Sequence, residues 1–191
     1  MRILASTLIA LSLSLAAAPV AAQAPDATAR IEAQRQAMAR LAFMDGVWRG
    51  PAWSVTPAGR HEIVQTERIG TFLGGSVRVV EGRGYNADGS VGFNAFGVIS
   101  FDPASGNYSF STWAQGRSGV FAFRVTPNGY EWETQAGPGA IVRYTATIEG
   151  DRFREVGYRI AGNAPPLQIF EMNLRRVGDT DWPAAGAVPR Q

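Results

Sequence analysis

From residue 47 to residue 177 the chain alternates short β-rich segments with turn signals, and apolar and polar positions alternate inside many segments. A period of two is typical of β-strands with one buried face. The pattern predicts about ten strands, joined by short turns such as Pro57-Ala58-Gly59 and Ala87-Asp88-Gly89. Short turns make consecutive strands antiparallel neighbours. Because an open sheet of ten strands would leave two unpaired edges, we expect an all-β fold closed into an up-and-down antiparallel β-barrel.

The residues before the first strand have a helical character. Asp26 can cap a helix, and Ile31, Met38 and Leu41 form a modest apolar stripe with the alanines between them. A half-ordered linker over residues 26–33 is an equally acceptable interpretation. The expected organisation is a helical lead-in over 23–40, a barrel domain over 41–177 and a loose tail rich in Pro, Ala and Gly over 178–191.

The N-terminal residues 1–22 have the pattern of a secretory signal peptide. Arg2 supplies the positive charge, an apolar run follows, and small residues form a cleavage zone. Cleavage after Ala22 is preferred, because cleavage after Ala24 would leave Pro25 as the first residue. The apolar run is too short for a transmembrane span, so we expect no stable membrane insertion. The predicted location is the periplasm or the medium.

The composition excludes several classes of chemistry. The chain has 18 basic residues, all of them Arg, against 16 acidic residues, with no Cys and a single His. It therefore lacks the residues for a disulfide, a thiolate nucleophile, a Cys/His metal cluster or a Lys Schiff base. We expect no bound metal and no cofactor. The sequence contains no run of basic residues of the kind that would indicate a nucleic-acid partner.

Residues opposite each other across a hairpin share a face, so the turns predict which side chains point into the barrel. Starting from Trp48, this rule gives an inner face with a polar set and an aromatic set. The polar set is Gln65, Glu67, Glu81, Arg83, Tyr85, Tyr144 and Glu155, and the aromatic set includes Phe93, Phe110 and Trp132. The outer face receives Arg78, Arg124 and Arg143. A single β-bulge would invert the assignment downstream of it.

The polar set is unusual for a barrel interior, because an unpaired buried charge costs several kcal/mol. One interpretation is that the polar set lines a cavity filled by water or a ligand. The other is that these residues lie at the rim of the barrel, or that Glu81 and Arg83 neutralise each other. In a cavity, Arg83 with Gln65 and Tyr144 would orient an acidic head group. The glutamates at 67, 81 and 155 would instead favour a hydroxylated or cationic group, so the ligand charge stays open.

The segment Gly46-Val47-Trp48 opens the first strand, and Arg176 shares a face with Phe170, Met172 and Leu174 on the last. This pattern resembles the lipocalin/calycin superfamily, in which a Gly-x-Trp closes one barrel end beneath an Arg from the last strand. The resemblance implies this structural role for Gly46, Trp48 and Arg176.

A more specific resemblance, over roughly residues 38–183, is to an exported bacterial lipocalin-like family known as a domain of unknown function. The segments that carry it are 41–50, the turn Phe101-Asp102-Pro103, Trp132 and 170–177. The opening Gly-x-Trp-x-Gly is also similar to nitrobindin-type barrels, which ligate haem through a late His. No His follows His61, so haem binding by that route is not expected.

Three functions remain open at this level. The leading hypothesis is an exported barrel that binds a small, mostly apolar or amphipathic molecule in its interior. The alternatives are a calycin-type barrel enzyme that uses Glu81 or Glu155 as an acid or base, and a packed structural barrel without a ligand. The sequence does not predict the oligomeric state.

Overall fold

A computed structural model describes residues 26–183. The helix α1 covers Ala27–Ala39, and the Asp26 carboxylate caps it by accepting a hydrogen bond of 2.8 Å from the Ala29 amide. A short 3₁₀ turn, Ala42–Met44, then leads into the first strand. The predicted N-terminal helix is confirmed.

Ten strands follow, and they form one closed antiparallel barrel in which each strand pairs with its neighbours in sequence and β1 pairs with β10. Their bounds are β1 Gly46–Thr56, β2 Gly59–Phe72, β3 Val77–Tyr85, β4 Val91–Asp102, β5 Asn107–Ala114, β6 Arg117–Thr126, β7 Gly129–Gln135, β8 Ala140–Glu149, β9 Arg152–Ala161 and β10 Leu167–Gly178. A 3₁₀ turn, Leu73–Gly75, joins β2 to β3. The predicted up-and-down barrel is therefore confirmed, with the strand count that the turns indicated.

The barrel has two different ends. At the end near α1, which we call the closed end, the inner face carries fully buried apolar residues. They include Trp48, Ile69, Ile99, Phe153 and Leu174. The helix covers this end, and the Tyr108 hydroxyl donates a hydrogen bond of 2.9 Å to the Ala37 carbonyl. The opposite end, where β1 turns into β2, is called the open end.

A buried arginine fastens the helix to the barrel. Arg78 of β3 is 1% exposed, and its guanidinium donates two hydrogen bonds to the Asp45 carboxylate, at 2.7 and 2.8 Å. A third goes to the Met38 carbonyl in the last turn of α1. Two parallel N–H···O bonds to one carboxylate fix both position and orientation. Arg78 thus joins the helix, the 3₁₀ turn and β3.

The predicted facing of β3 is wrong. In the structure Glu67 pairs with Gly82 and Gln65 with Gly84, so the inward positions of β3 are Arg78, Val80, Gly82 and Gly84. The side chains predicted to point inward, Glu81, Arg83 and Tyr85, lie on the outer face, and Arg78 lies inside rather than outside. There Arg83 donates a hydrogen bond of 2.6 Å to Glu81, and its side chain is 46% exposed.

Two local irregularities explain this inversion. The strand β2 continues to Phe72, and the 3₁₀ turn follows it. As a result Ile69 of β2 pairs with Val80 of β3, whereas the prediction placed the odd-numbered residues of β3 on the inner face. A bulge between Gly84 and Tyr85 then shifts the register against β4. The two shifts cancel, because each changes the facing by one residue. The error is confined to β3, and β4 to β9 face as predicted.

The C-terminal residues of the described chain cross to the outside of β2. Trp182 packs edge-on against Phe72 with 5.6 Å between ring centroids, and Asp181 accepts a hydrogen bond from Arg68. Within residues 26–183, no helix has the length and apolar character needed to cross a membrane.

Candidate functional site in the barrel interior

The closed end is built around Trp48. Its ring is fully buried, its indole N–H donates a hydrogen bond of 3.0 Å to the Met44 carbonyl, and Phe153 packs edge-on against it. The Arg176 guanidinium lies 5.4 Å from the ring centroid. A Cβ at Gly46 would come within 2.8 Å of Arg176 Nη1, so the glycine makes room for this cation. Trp48, Phe153 and Arg176 thus fill the inner face at this end.

The open end has a different character. Several large side chains point inward there and are nevertheless only half-buried. They are Phe93, Phe110, Phe121, Trp132, Tyr144 and Phe170. These rings therefore keep part of their surface exposed at the end of the barrel opposite α1.

Trp132 lies at the centre of this aromatic group. It stacks on Tyr144 with centroids 4.4 Å apart and planes 13° apart, and it meets Phe110 edge-on at 5.2 Å. Phe121 lies 5.5 Å away, and Phe170 contacts Tyr144. Offset and edge-to-face pairs of this kind fix ring orientation. The rings form one continuous wall on the inner face, which we call the aromatic wall.

Glycines on the inner face give these large side chains their space. A Cβ at Gly97 would lie 2.4 Å from the Phe110 ring, and one at Gly157 would lie 2.9 Å from the Tyr144 ring. Such separations are shorter than carbon atoms tolerate. The small residues on β4 and β9 therefore position the aromatic wall.

Glu155 lies at the deep edge of the aromatic wall and is 7% exposed. Its carboxyl oxygen Oε1 accepts a hydrogen bond of 2.9 Å from the Trp132 indole N–H. Burial raises the pKa of Glu155 from 4.5 to about 7, while hydrogen bonds from Trp132 and Tyr130 oppose the increase. This carboxyl can therefore gain or lose a proton near neutral pH.

Glu67 is the second interior carboxyl and is 8% exposed. Its Oε1 accepts a hydrogen bond of 2.8 Å from the Gln65 amide. Burial raises its pKa to about 8, against the lowering effect of Gln65, and the charge of Glu155 adds to the increase. A Cβ at Gly82 would lie 2.8 Å from this oxygen, so Gly82 leaves the space that the carboxyl occupies.

Two interior tyrosines remain protonated across the neutral range. Burial raises the pKa of Tyr144 to about 12, with a further contribution from the charge of Glu155. The pKa of Tyr130 is raised well above 10, also mainly by burial. Both phenols can therefore serve as hydrogen-bond donors but not as bases.

Of the predicted ligand-binding residues, the structure brings seven to the inner face. They are Gln65, Glu67, Phe93, Phe110, Trp132, Tyr144 and Glu155. Glu81, Arg83 and Tyr85 are outside, so the predicted orientation of an acidic head group by Arg83 has no geometric basis in the interior. Tyr85 instead borders an outer groove of about 500 Å³, where the Arg60 guanidinium lies 4.1 Å from the Trp53 ring.

Arg78, a buried cation of the closed end, was not among the predicted interior residues. Arg78 was predicted to be outside, and the period-two pattern gives no signal for it, because β3 carries small or apolar residues on both faces. The other inward cation there is Arg176, which binds the Asp45 carbonyl and Asp179. Within residues 26–183, no group of three or more His, Asp or Glu side chains could hold a metal ion.

No family model matches the chain, and no curated protein matches it. Among solved structures, the chain is similar to the crystal structure of Rv2717c from M. tuberculosis, with a TM-score of 0.55 and 15% sequence identity. The match covers 73% of this chain and 96% of that one. At this identity the similarity shows a shared fold.

Proposed function

We propose that the protein is an exported barrel that binds a small, mostly apolar molecule in its interior. In this proposal the molecule enters through the open end. The observation that carries the proposal is the set of half-buried aromatic side chains that face inward. An aromatic ring left partly in contact with water inside a barrel offers apolar area that a ligand can bury. The signal-like residues 1–22 support the exported location.

Polar side chains near the aromatic wall would also orient a bound ligand. Ligand sites typically combine an apolar wall with a few placed polar groups. Here Gln65, Glu67 and Glu155 lie beyond the aromatic wall, on the way to the closed end. A ligand with one polar end would therefore direct that end inward.

The test is a titration with N-phenyl-1-naphthylamine, a neutral probe whose fluorescence rises in apolar surroundings. We expect the parent protein to bind it and Trp132→Ala to weaken binding by about tenfold, because the variant removes the centre of the aromatic wall. Trp113→Ala is the matched control, since Trp113 lies on the outer face and is 51% exposed. Absence of binding to the parent, or equal effects of the two variants, would reject the interior site and favour a packed structural barrel.

A second candidate function is acid–base catalysis by the same interior residues. The supporting observation is the pKa of about 7 at Glu155, which suits a general acid or base near neutral pH. The outward position of Glu81 leaves Glu155 as the candidate. Native mass spectrometry of protein purified from its own host would detect a retained molecule. Incubating that molecule with the parent and with Glu155→Gln distinguishes the functions, because only an enzyme converts it in a Glu155-dependent way.

A further inference from the structure

We propose that the interior selects an organic cation, such as a protonated amine on an aromatic or alicyclic body, and that Glu67 and Glu155 bind its ammonium group. This inference rests on the proposed ligand-binding function and specifies the chemical class of the ligand. It decides the question of ligand charge that the sequence leaves open.

The carboxyls of Glu67 and Glu155 have no cationic partner among the residues that the structure describes. Each accepts a hydrogen bond from a neutral donor, Gln65 or Trp132, and neither belongs to any ion pair among residues 26–183. Buried carboxyls are ordinarily paired with a cation or kept protonated. A ligand ammonium would supply the missing charge.

The inward-facing arginines of the described chain either have other partners or lie at the rim of the open end. The inward arginines of the closed end are already engaged: Arg78 binds Asp45, and Arg176 lies over Trp48. At the open end, Arg117 and Arg159 pair with inward-facing residues of the neighbouring strands, but both are exposed. Arg159 is four residues beyond Glu155 on β9, roughly 13 Å at the rise of a strand. An acidic group that contacted Arg159 would remain at the rim, in water.

The aromatic wall adjoins the carboxyl of Glu155. The edge of Trp132 that donates a hydrogen bond to Glu155 belongs to the ring that stacks on Tyr144. An ammonium bound by Glu155 would therefore lie next to the aromatic wall, against which the apolar body of the same ligand can pack.

Binding of a cation should also release protons. Glu155 faces Tyr130 of β7, Tyr144 of β8 and the charge of Glu67 on β2, and Glu67 is also affected by the charge of Glu81 on β3. Both tyrosines stay neutral, so the carboxyls are the groups that titrate near neutral pH. An ammonium favours the ionised carboxyl and lowers its pKa. Calorimetry in two buffers of different ionisation enthalpy measures the proton released.

The experiment compares three ligands of one shape at pH 7.5 by isothermal titration calorimetry. They are 1-naphthylmethylamine, 1-naphthalenemethanol and 1-naphthoic acid. We expect the amine to bind at least about tenfold more tightly than the alcohol, about 1.4 kcal/mol, with release of a proton. The acid should bind more weakly than the alcohol.

Variants then locate the effect. Glu67→Gln and Glu155→Gln should weaken binding of the amine far more than binding of the alcohol, and so remove the preference for the amine. The matched controls are Glu131→Gln, on the outer face of β7 and paired with Arg124, and Arg159→Met, at the rim. Neither control should change amine binding.

The outcomes separate the inference from the function on which it rests. If the alcohol binds and the amine gains nothing, the cation inference is wrong and the ligand-binding function stands. If the acid binds best and Arg159→Met abolishes its binding, the ligand is an anion held at the rim. If none of the three binds, both proposals fail. The comparison on the parent protein decides the inference even if a variant does not fold.

Discussion

Three buried charged residues of the inner face are stabilised in different ways, and the difference has measurable consequences. Arg78 is bound to the Asp45 carboxylate. Glu67 and Glu155 have neutral hydrogen-bond donors, and burial raises the pKa of both. For a carboxyl without a cation, protonation is the way to avoid a buried charge.

This difference predicts that stability falls as pH rises through the neutral range. The folded-state pKa values, about 7 and about 8, lie above the ordinary value of 4.5. The folded protein therefore binds more protons than the unfolded chain between these limits. The stabilisation is fully present below about pH 4.5 and is lost as pH rises through 7 and 8, with a slope of up to about 1.4 kcal/mol per pH unit for each carboxyl.

Urea denaturation between pH 5 and pH 9 measures this slope. Glu67→Gln and Glu155→Gln should each flatten it, because Gln has a similar shape and does not titrate. Glu131→Gln, an outer-face substitution, should leave the slope unchanged. A parent protein whose unfolding free energy stays constant over this range would contradict the prediction.

A second prediction at the residue scale concerns Trp48. Its ring fills the closed end against Phe153 and Arg176, so truncation leaves a large cavity. We expect Trp48→Ala to lower the free energy of unfolding by about 3–5 kcal/mol. Trp113→Ala, on the exposed outer face, should cost less than about 1 kcal/mol. A loss below 1 kcal/mol for Trp48→Ala in a denaturant titration would show that the ring does not support the closed end.

At the scale of the elements, β3 shows where sequence reasoning stops. Turn lengths were sufficient for strand order and for the facing of most strands, because a buried face in one strand fixes that of its partner. They were insufficient for β3, where a 3₁₀ turn precedes the strand and a bulge ends it. Both depend on local backbone geometry, which the period-two pattern does not encode. Arg78 and Arg83 consequently exchanged their predicted faces.

The exchange gives a direct test with two arginines on one strand. Arg78→Met removes a cation that binds Asp45 and the end of α1, and we expect it to cost about 3–5 kcal/mol, as for a broken buried ion pair. Arg83→Met removes a pair with Glu81 that lies in solvent, so its cost should be much smaller than that of Arg78→Met. Thermal unfolding of both variants measures the contrast, and a reversed order would support the facing predicted from the sequence.

For the whole molecule, closure of the barrel followed from the number of strands and the cost of open edges. The aromatic wall also followed from the pattern, since Phe110, Trp132 and Tyr144 fall on one face. The pattern did not reveal how far the interior is filled, because facing does not specify volume. The glycines opposite Phe110 and Tyr144, and the half-burial of the rings, are properties of the assembled barrel.

The last prediction concerns the residues that precede the barrel. The signal-like segment lies outside the described residues, which begin with the Asp26 cap of α1. Cleavage after Ala22 would leave Gln23, Ala24 and Pro25 before the cap, so processing would not disturb the helix. We expect N-terminal sequencing of the periplasmic fraction to begin at Gln23.

Substitutions on either side of the predicted cut give the control. Ala22→Arg places a large charged residue where signal peptidase requires a small one, so the precursor should accumulate in the membrane fraction. Ala24→Arg lies beyond the cut and should be processed normally. If instead Ala24→Arg blocks processing and the mature chain begins at Pro25, the cut is two residues later. Recovery of the parent with Met1 intact would show that the segment is not a cleaved signal, and the exported location would then lose its support.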